Sequence, residues 1–147
     1  MRNTILALVT FGAAGVFALA GTAEPGLESA LTAISGQGAG HVSVSPEARD
    51  RGQTFHAQVT VNVHGAAPGT TFTVTRYVDE PPDGICTEAG GGVTLGSFTT
   101  TADGSGAFHV ERVSTGETPG FQFDLDFHVL GSDGTFLESG CMTVTQK

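Results

Sequence analysis

Tryptophan is absent from these 147 residues, tyrosine occurs once, cysteine and methionine occur twice each, and lysine and arginine together number 6. Each scarcity excludes something. Six bases against 15 acids give a formal net charge of -9, the opposite of the basic footprint that a phosphate backbone requires, so DNA and RNA are excluded as partners. The two cysteines have no C-x-x-C spacing and no helix N-terminus nearby to lower a thiol pKa, which argues against a redox-active pair. No G-x-S-x-G elbow, H-x-H, H-E-x-x-H or EF-hand loop occurs, and Ser105 between Gly104 and Gly106 belongs to a turn rather than to a nucleophile. No catalytic residue is therefore expected, and no cofactor. The length is short of the roughly 250 residues of a (β/α) barrel, yet sufficient for one buried core. A composition 39% hydrophobic and 14% charged is that of a globular domain rather than a disordered chain.

Long apolar runs are also missing, with one instructive near-exception. Met1-Arg2-Asn3 gives a short positive start, residues 5–20 are almost wholly apolar, and Gly21-Thr22-Ala23 places small residues before Glu24. The run falls short of the about 20 apolar residues of a membrane span, and no charged stop-transfer segment follows. Residues 1–23 read as a secretory signal peptide cleaved after Ala23, with a retained N-terminal anchor as the alternative. No cysteine follows the small residues for lipid attachment, and no twin arginine is present. The expected product is a soluble secreted or periplasmic protein with no membrane insertion after cleavage. Cleavage removes Arg2 and no acid, leaving 5 bases and 15 acids, a net charge of -10 (5 minus 15). Anionic membranes should repel such a surface.

Glycine is what the chain has in excess, 22 in all, and it falls between alternating segments. Residues 24–40, from Glu24-Pro25-Gly26 to Gly36-Gln37-Gly38-Ala39-Gly40, bracket Leu27, Ala30, Leu31 and Ile34. They fit a short helix face, a flexible segment or a first strand. The glycine cluster is not a phosphate loop, because the sequence after it alternates as a strand does instead of opening a helix. From residue 41 to 147 the period is two. Phe55, Ala57, Val59, Val61 and Val63 share one face and His56, Gln58, Thr60, Asn62 and His64 the other. Pro68-Gly69 suits a type II turn, so a hairpin is expected to return Phe72 and Val74 alongside. Asp103-Gly104 and Asp133-Gly134 are further hairpin signals. In Phe121-Gln122-Phe123-Asp124-Leu125-Asp126-Phe127-His128-Val129, five apolar residues alternate with four polar ones, the pattern of a half-buried strand. Seven or eight antiparallel strands and no helical pattern predict an all-β domain, a β-sandwich over 41–147.

The stretches Val63-His64-Gly65-Ala66-Ala67-Pro68-Gly69-Thr70-Thr71-Phe72-Thr73-Val74 and Phe98-Thr99-Thr100-Thr101-Ala102-Asp103-Gly104-Ser105-Gly106-Ala107-Phe108 resemble the small secreted immunoglobulin-like domains common in bacteria. The likeness spans most of 41–145 and is architectural: no tryptophan packs on a disulfide, and Tyr77 does not precede a cysteine by two residues. In outline the chain is also similar to the neocarzinostatin-type chromophore carriers. It departs from them in having one disulfide where that family has two, and no ligand residue carries over.

In an oxidising compartment Cys86 and Cys141 read as one disulfide. The bond would close 55 positions and add about 4 kcal/mol in the chain-entropy account, pinning the irregular loop 79–92 to the last strand. That loop carries Asp79, Glu80, Asp83 and Glu88 around Pro81-Pro82. Its length marks it as a partner-contact loop, with calcium binding by paired carboxylates as the alternative. Asp124, Asp126 and His128 fall on one face of one strand about 7 Å apart, a face expected to be wet. His109 and Glu138, on strands expected to neighbour it, would complete an imidazole–carboxylate set suited to zinc or copper. With Met142 alone left after cleavage, soft ligands for Cu(I) are scarce. His56 and His64 are too far apart along one strand to share an ion, and His41 has no partner in sequence. The preferred expectation is a secreted, non-enzymatic module acting by surface-mediated binding of an unknown extracellular protein, or in the cell envelope. The alternative is small-ligand or metal binding.

Overall fold

A computed structural model describes residues 27–49, 54–115 and 120–147; the segment read as a signal peptide lies outside the described residues. Nine strands occur among them: β1 (Leu27–Ser35), β2 (Ala39–Arg49), β3 (Thr54–His64), β4 (Thr71–Asp79), β5 (Gly92–Thr99), β6 (Gly106–Thr115), β7 (Gln122–Gly131), β8 (Phe136–Ser139) and β9 (Met142–Thr145). Every pairing is antiparallel. The all-β antiparallel class read from the period-two pattern is what the chain adopts. Leu27–Ser35, left between helix and extended chain by its sequence, is a strand whose Leu31 is buried.

The strands join in one continuous sheet, ordered β5-β4-β7-β8-β1-β2-β3-β6, with β9 pairing β7 beyond the end of β8. The sheet curls into a nearly closed barrel rather than dividing into two clearly separate sheets. Its interior is the alternating apolar set: Val59, Val61 and Val63 from β3, Phe72 and Val74 from β4, Phe127 and Val129 from β7 and Leu137 from β8 are all buried. At roughly 25 cal/mol per Å² of apolar surface removed from water, this is the principal force on the fold.

The ends of the path meet along a seam of rings on glycines. A Cβ on Gly106 would lie 2.7 Å from the ring of Phe98, and one on Gly96 2.7 Å from the ring of Phe108. Both glycines let an aromatic ring approach the backbone closely, closing by packing a gap that hydrogen bonds leave open.

Two expectations about connections are corrected. Residues 65–69 do turn, and Gly69 donates its N–H to Thr100 at 3.1 Å, but β3 pairs β2 and β6 while β4 pairs β5 and β7. The connection therefore crosses between strands that are not neighbours instead of making a hairpin. Turn chemistry fixes local reversal, whereas the choice of neighbour is set by burial over the whole sheet. The Asp103-Gly104 turn, in which Asp103 accepts the Thr101 hydroxyl, does reverse the chain, but the β6 it opens is hydrogen-bonded to β3 and meets β5 through the ring-on-glycine seam instead of a ladder.

Candidate functional site

β7 is the strand on which the site is built, and its burial departs from simple alternation. All residues from Phe123 to Phe127 are buried, so both faces of this half of the strand are covered. The inner face meets the barrel core. The outer face, expected to be wet, carries Asp124 and Asp126 with 0% and 3% exposure. What covers it is the loop 80–91.

Four fasteners hold this roof. Asp79 accepts the Thr87 N–H at 2.6 Å and the Thr87 hydroxyl at 2.5 Å. Asp83 accepts the Ile85 N–H at 2.9 Å. Asp124 accepts the Gly84 N–H at 2.6 Å and, through its other oxygen, the Thr143 hydroxyl at 2.6 Å. Cys86 and Cys141 are disulfide-bonded with Cα atoms 5.5 Å apart, within the usual range. Glu80 supplies a backbone N–H to Asp79 at 3.0 Å. A carboxylate that accepts two donors from otherwise unladdered backbone satisfies it as a strand would.

Cys141 reaches the roof because the ladder breaks beside Asp126. Leu125 pairs Met142 in one register and His128 pairs Glu138 in the next, leaving one extra residue between β8 and β9, a β-bulge of the kind found next to sites that re-aim side chains. Ser139 fills the gap, its hydroxyl accepting the Phe127 N–H at 2.9 Å and donating to the Gly140 carbonyl at 3.0 Å.

Under the roof, Glu88, Asp126, His128 and Glu138 converge, each offering one donor atom, all within 4.8 Å of one another. Cross-strand register brings Glu138 opposite His128 and Tyr77 opposite Asp126. The His128 Nε2 lies 3.3 Å from Glu88 Oε1 and 3.4 Å from Asp126 Oδ2. These separations exceed the about 2.7–2.9 Å of a charge-assisted hydrogen bond, and neither the buried Nε2 nor the buried Asp126 Oδ1 has a hydrogen-bond partner. The imidazole is wedged between the rings of Tyr77 and Phe136, with centroids at 4.5 and 5.0 Å. Burial pushes the Asp126 carboxyl up; the charge of His128 works against this rise, while Glu88 and Glu138 add to it. Glu88 itself holds a φ of 59°, a left-handed conformation sparsely used by side-chain-bearing residues.

Of the residues singled out from sequence, Asp126, His128 and Glu138 are brought together. His109 is not: β6 pairs β3 and does not neighbour β7, and its Nδ1 is 2.8 Å from the Thr60 hydroxyl. Asp124 faces the same side as Asp126 but is used to anchor Gly84 and Thr143. Within the loop, Asp79 and Asp83 are fasteners, and Glu88 alone turns to the cluster. Sequence reasoning assigned Glu88 to the contact loop and missed its place beside Asp126. The signal was the cysteine pair, since Cys86 stands two residues before Glu88 and Cys141 three after Glu138. The aromatic wedge of Tyr77 and Phe136 left no such signal.

No family model, curated protein or solved structure matches this chain.

Proposed function

We propose that this protein is an exported, non-enzymatic binding module whose working surface is the outer face of β4, β7 and β8 beneath the roof loop. The observation that carries the reading is the loop itself: 12 residues without strand structure, 80–91, tied to the sheet by a disulfide and by the carboxylates of Asp79 and Asp124. Long loops in compact domains are functional far more often than ornamental, and a site serves best when its parts are held before the ligand arrives. Ile85, 62% exposed at the loop tip, adds an apolar contact at the rim. Export is supported by the signal-like residues 1–23 and by a disulfide, which is compatible with an oxidising or extracellular setting. An immunoglobulin-like architecture is supported by the short antiparallel strands and the turns at Pro68-Gly69 and Asp103-Gly104.

A thermal-shift panel of small cations, sugars, amino acids and nucleotides, run on the protein and on a variant with 81–91 replaced by a short turn, tests the reading. At least one ligand class is expected to raise the Tm of the parent protein and not that of the loop variant. Equal responses of the two proteins to every class would overturn it.

A further inference from the structure

We infer that the ligand of the roofed face is a divalent transition-metal ion of zinc-like character, held by Glu88, Asp126, His128 and Glu138; the inference rests on the reading of that face as the working surface. Three observations converge. The four donor atoms come from separate places in the chain, a pinned loop, β7 and β8, and still gather within 4.8 Å. Two of them flank the imidazole at 3.3 and 3.4 Å, close to the edge of a tetrahedron whose bonds are ~2.0–2.1 Å, which is ~3.3–3.4 Å. Finally, Asp126 is 97% buried, the complement of its 3% exposure, and its Oδ1 has no hydrogen-bond partner. A buried carboxylate set beside two others is costly unless a cation joins them.

The donor chemistry selects the ion. One imidazole nitrogen beside three carboxylate oxygens suits zinc or manganese, whereas the imidazole counts against calcium and magnesium, which take oxygen ligands. No thiolate or thioether belongs to the set, as Cys86 and Cys141 are bonded to each other. That excludes the soft environment Cu(I) prefers. The rings of Tyr77 and Phe136 pack against the imidazole at 4.5 and 5.0 Å and limit its rotation.

Isothermal titration of the purified protein with zinc chloride, and separately with manganese and calcium chlorides, tests this. Expected are saturable zinc binding with one ion per chain, weaker manganese binding and no calcium heat. Glu88→Gln, on the exposed loop where folding is not at stake, and Asp126→Asn should each weaken zinc by more than the ~10–100-fold that losing an outer-shell partner costs. His109→Gln, on β6 beside β3 and outside the cluster, should bind as the parent does. Absence of zinc heat, or heat equal in parent, Glu88→Gln and Asp126→Asn, would overturn the inference. If the thermal-shift panel then yields a loop-dependent ligand of another class, the binding-module reading stands without the metal; if no ligand depends on the loop, both fall.

Discussion

Asp124 and Asp126 stand two positions apart on one face of β7 and have opposite energetic roles. Asp124 is fully buried and both its oxygens are occupied by donors, so its charge is balanced by two hydrogen bonds. Removing it breaks two charge-assisted hydrogen bonds whose donors, on the exposed Gly84 and Thr143, pass to water, at about 1–3 kcal/mol. Asp124→Ala should lower the urea midpoint accordingly. Asp124→Asn should do so less, because an amide oxygen still accepts from Gly84 and the Thr143 hydroxyl can accept from the amide NH₂. Asp126 is buried without such donors and among like charges. In metal-free protein Asp126→Asn is therefore expected to raise stability, on the order of 1 kcal/mol, while weakening zinc binding by more than ~10–100-fold. A substitution that stabilises the fold and removes binding marks a residue kept for its ligand rather than for packing. Lower metal-free stability of Asp126→Asn, read from the same urea curves, would count against this assignment.

At the scale of elements, the roof loop and the barrel seam are where long-range structure does what local sequence does not specify. Replacing both cysteines by serine frees 55 positions of chain and should cost about 4 kcal/mol, and should also weaken zinc because the loop carrying Glu88 is then tied to the sheet through Asp79 and Asp124. Gly106→Ala drives a methyl into the Phe98 ring and should cost about 1–3 kcal/mol as overpacking does, measured by the same denaturant midpoints without change in zinc affinity. The strands themselves were legible, since an apolar–polar alternation such as that of β7 admits one face inward. Their neighbours were not. Pro68-Gly69 encodes a reversal but not that β3 and β4 part company across the barrel, and nothing local in His109 says that β6 lies beside β3. The outer face of β7 read as wet for the same reason: alternation assigns Asp124 and Asp126 outward, correctly, but cannot say that a loop 35 to 46 positions earlier (126 minus 91, and 126 minus 80) will fold over them. The cysteine pair was the one long-range constraint written in the sequence; it brings Glu88 near Glu138 in the fold, a consequence the sequence reading did not draw.

Over the whole molecule, four carboxyls among the described residues are displaced by the fold, three downward and one upward, with opposite consequences for pH. The carboxyls of Asp79, Asp103 and Asp133 are lowered, chiefly by hydrogen bonds from the Thr87 side chain, the Thr101 side chain and the Thr135 backbone respectively. A folded value below the unfolded ~3.9 gives stability that is present above ~3.9 and lost as the pH falls through the folded values. Asp126 is raised, first by burial and then by its acidic neighbours, against the charge of His128. Its contribution has the reverse sign: protonation is favoured in the fold, so metal-free stability is gained as the pH falls through the raised value toward ~3.9. Urea midpoints of metal-free protein should thus climb on mild acidification and decline in strong acid, and Asp126→Asn should remove the climb but not the decline.

The single tyrosine and the absence of tryptophan turn the molecule into its own reporter. Tyr77 packs at a tilt against His128 within the cluster, ring centroids 4.5 Å apart, so a cobalt(II) ion, which takes the same imidazole and carboxylate donors as zinc, would quench the emission of that one phenol when seated among Glu88, Asp126, His128 and Glu138. Cobalt(II) titration of the purified protein, followed by tyrosine fluorescence, is the most direct measurement of whether a transition-metal ion occupies this face. Expected is quenching that saturates at one ion per chain, is reversed by zinc, and needs far more cobalt in Asp126→Asn. Quenching that never appears, or that survives both zinc and Asp126→Asn unchanged, would contradict a zinc-like ion on this face.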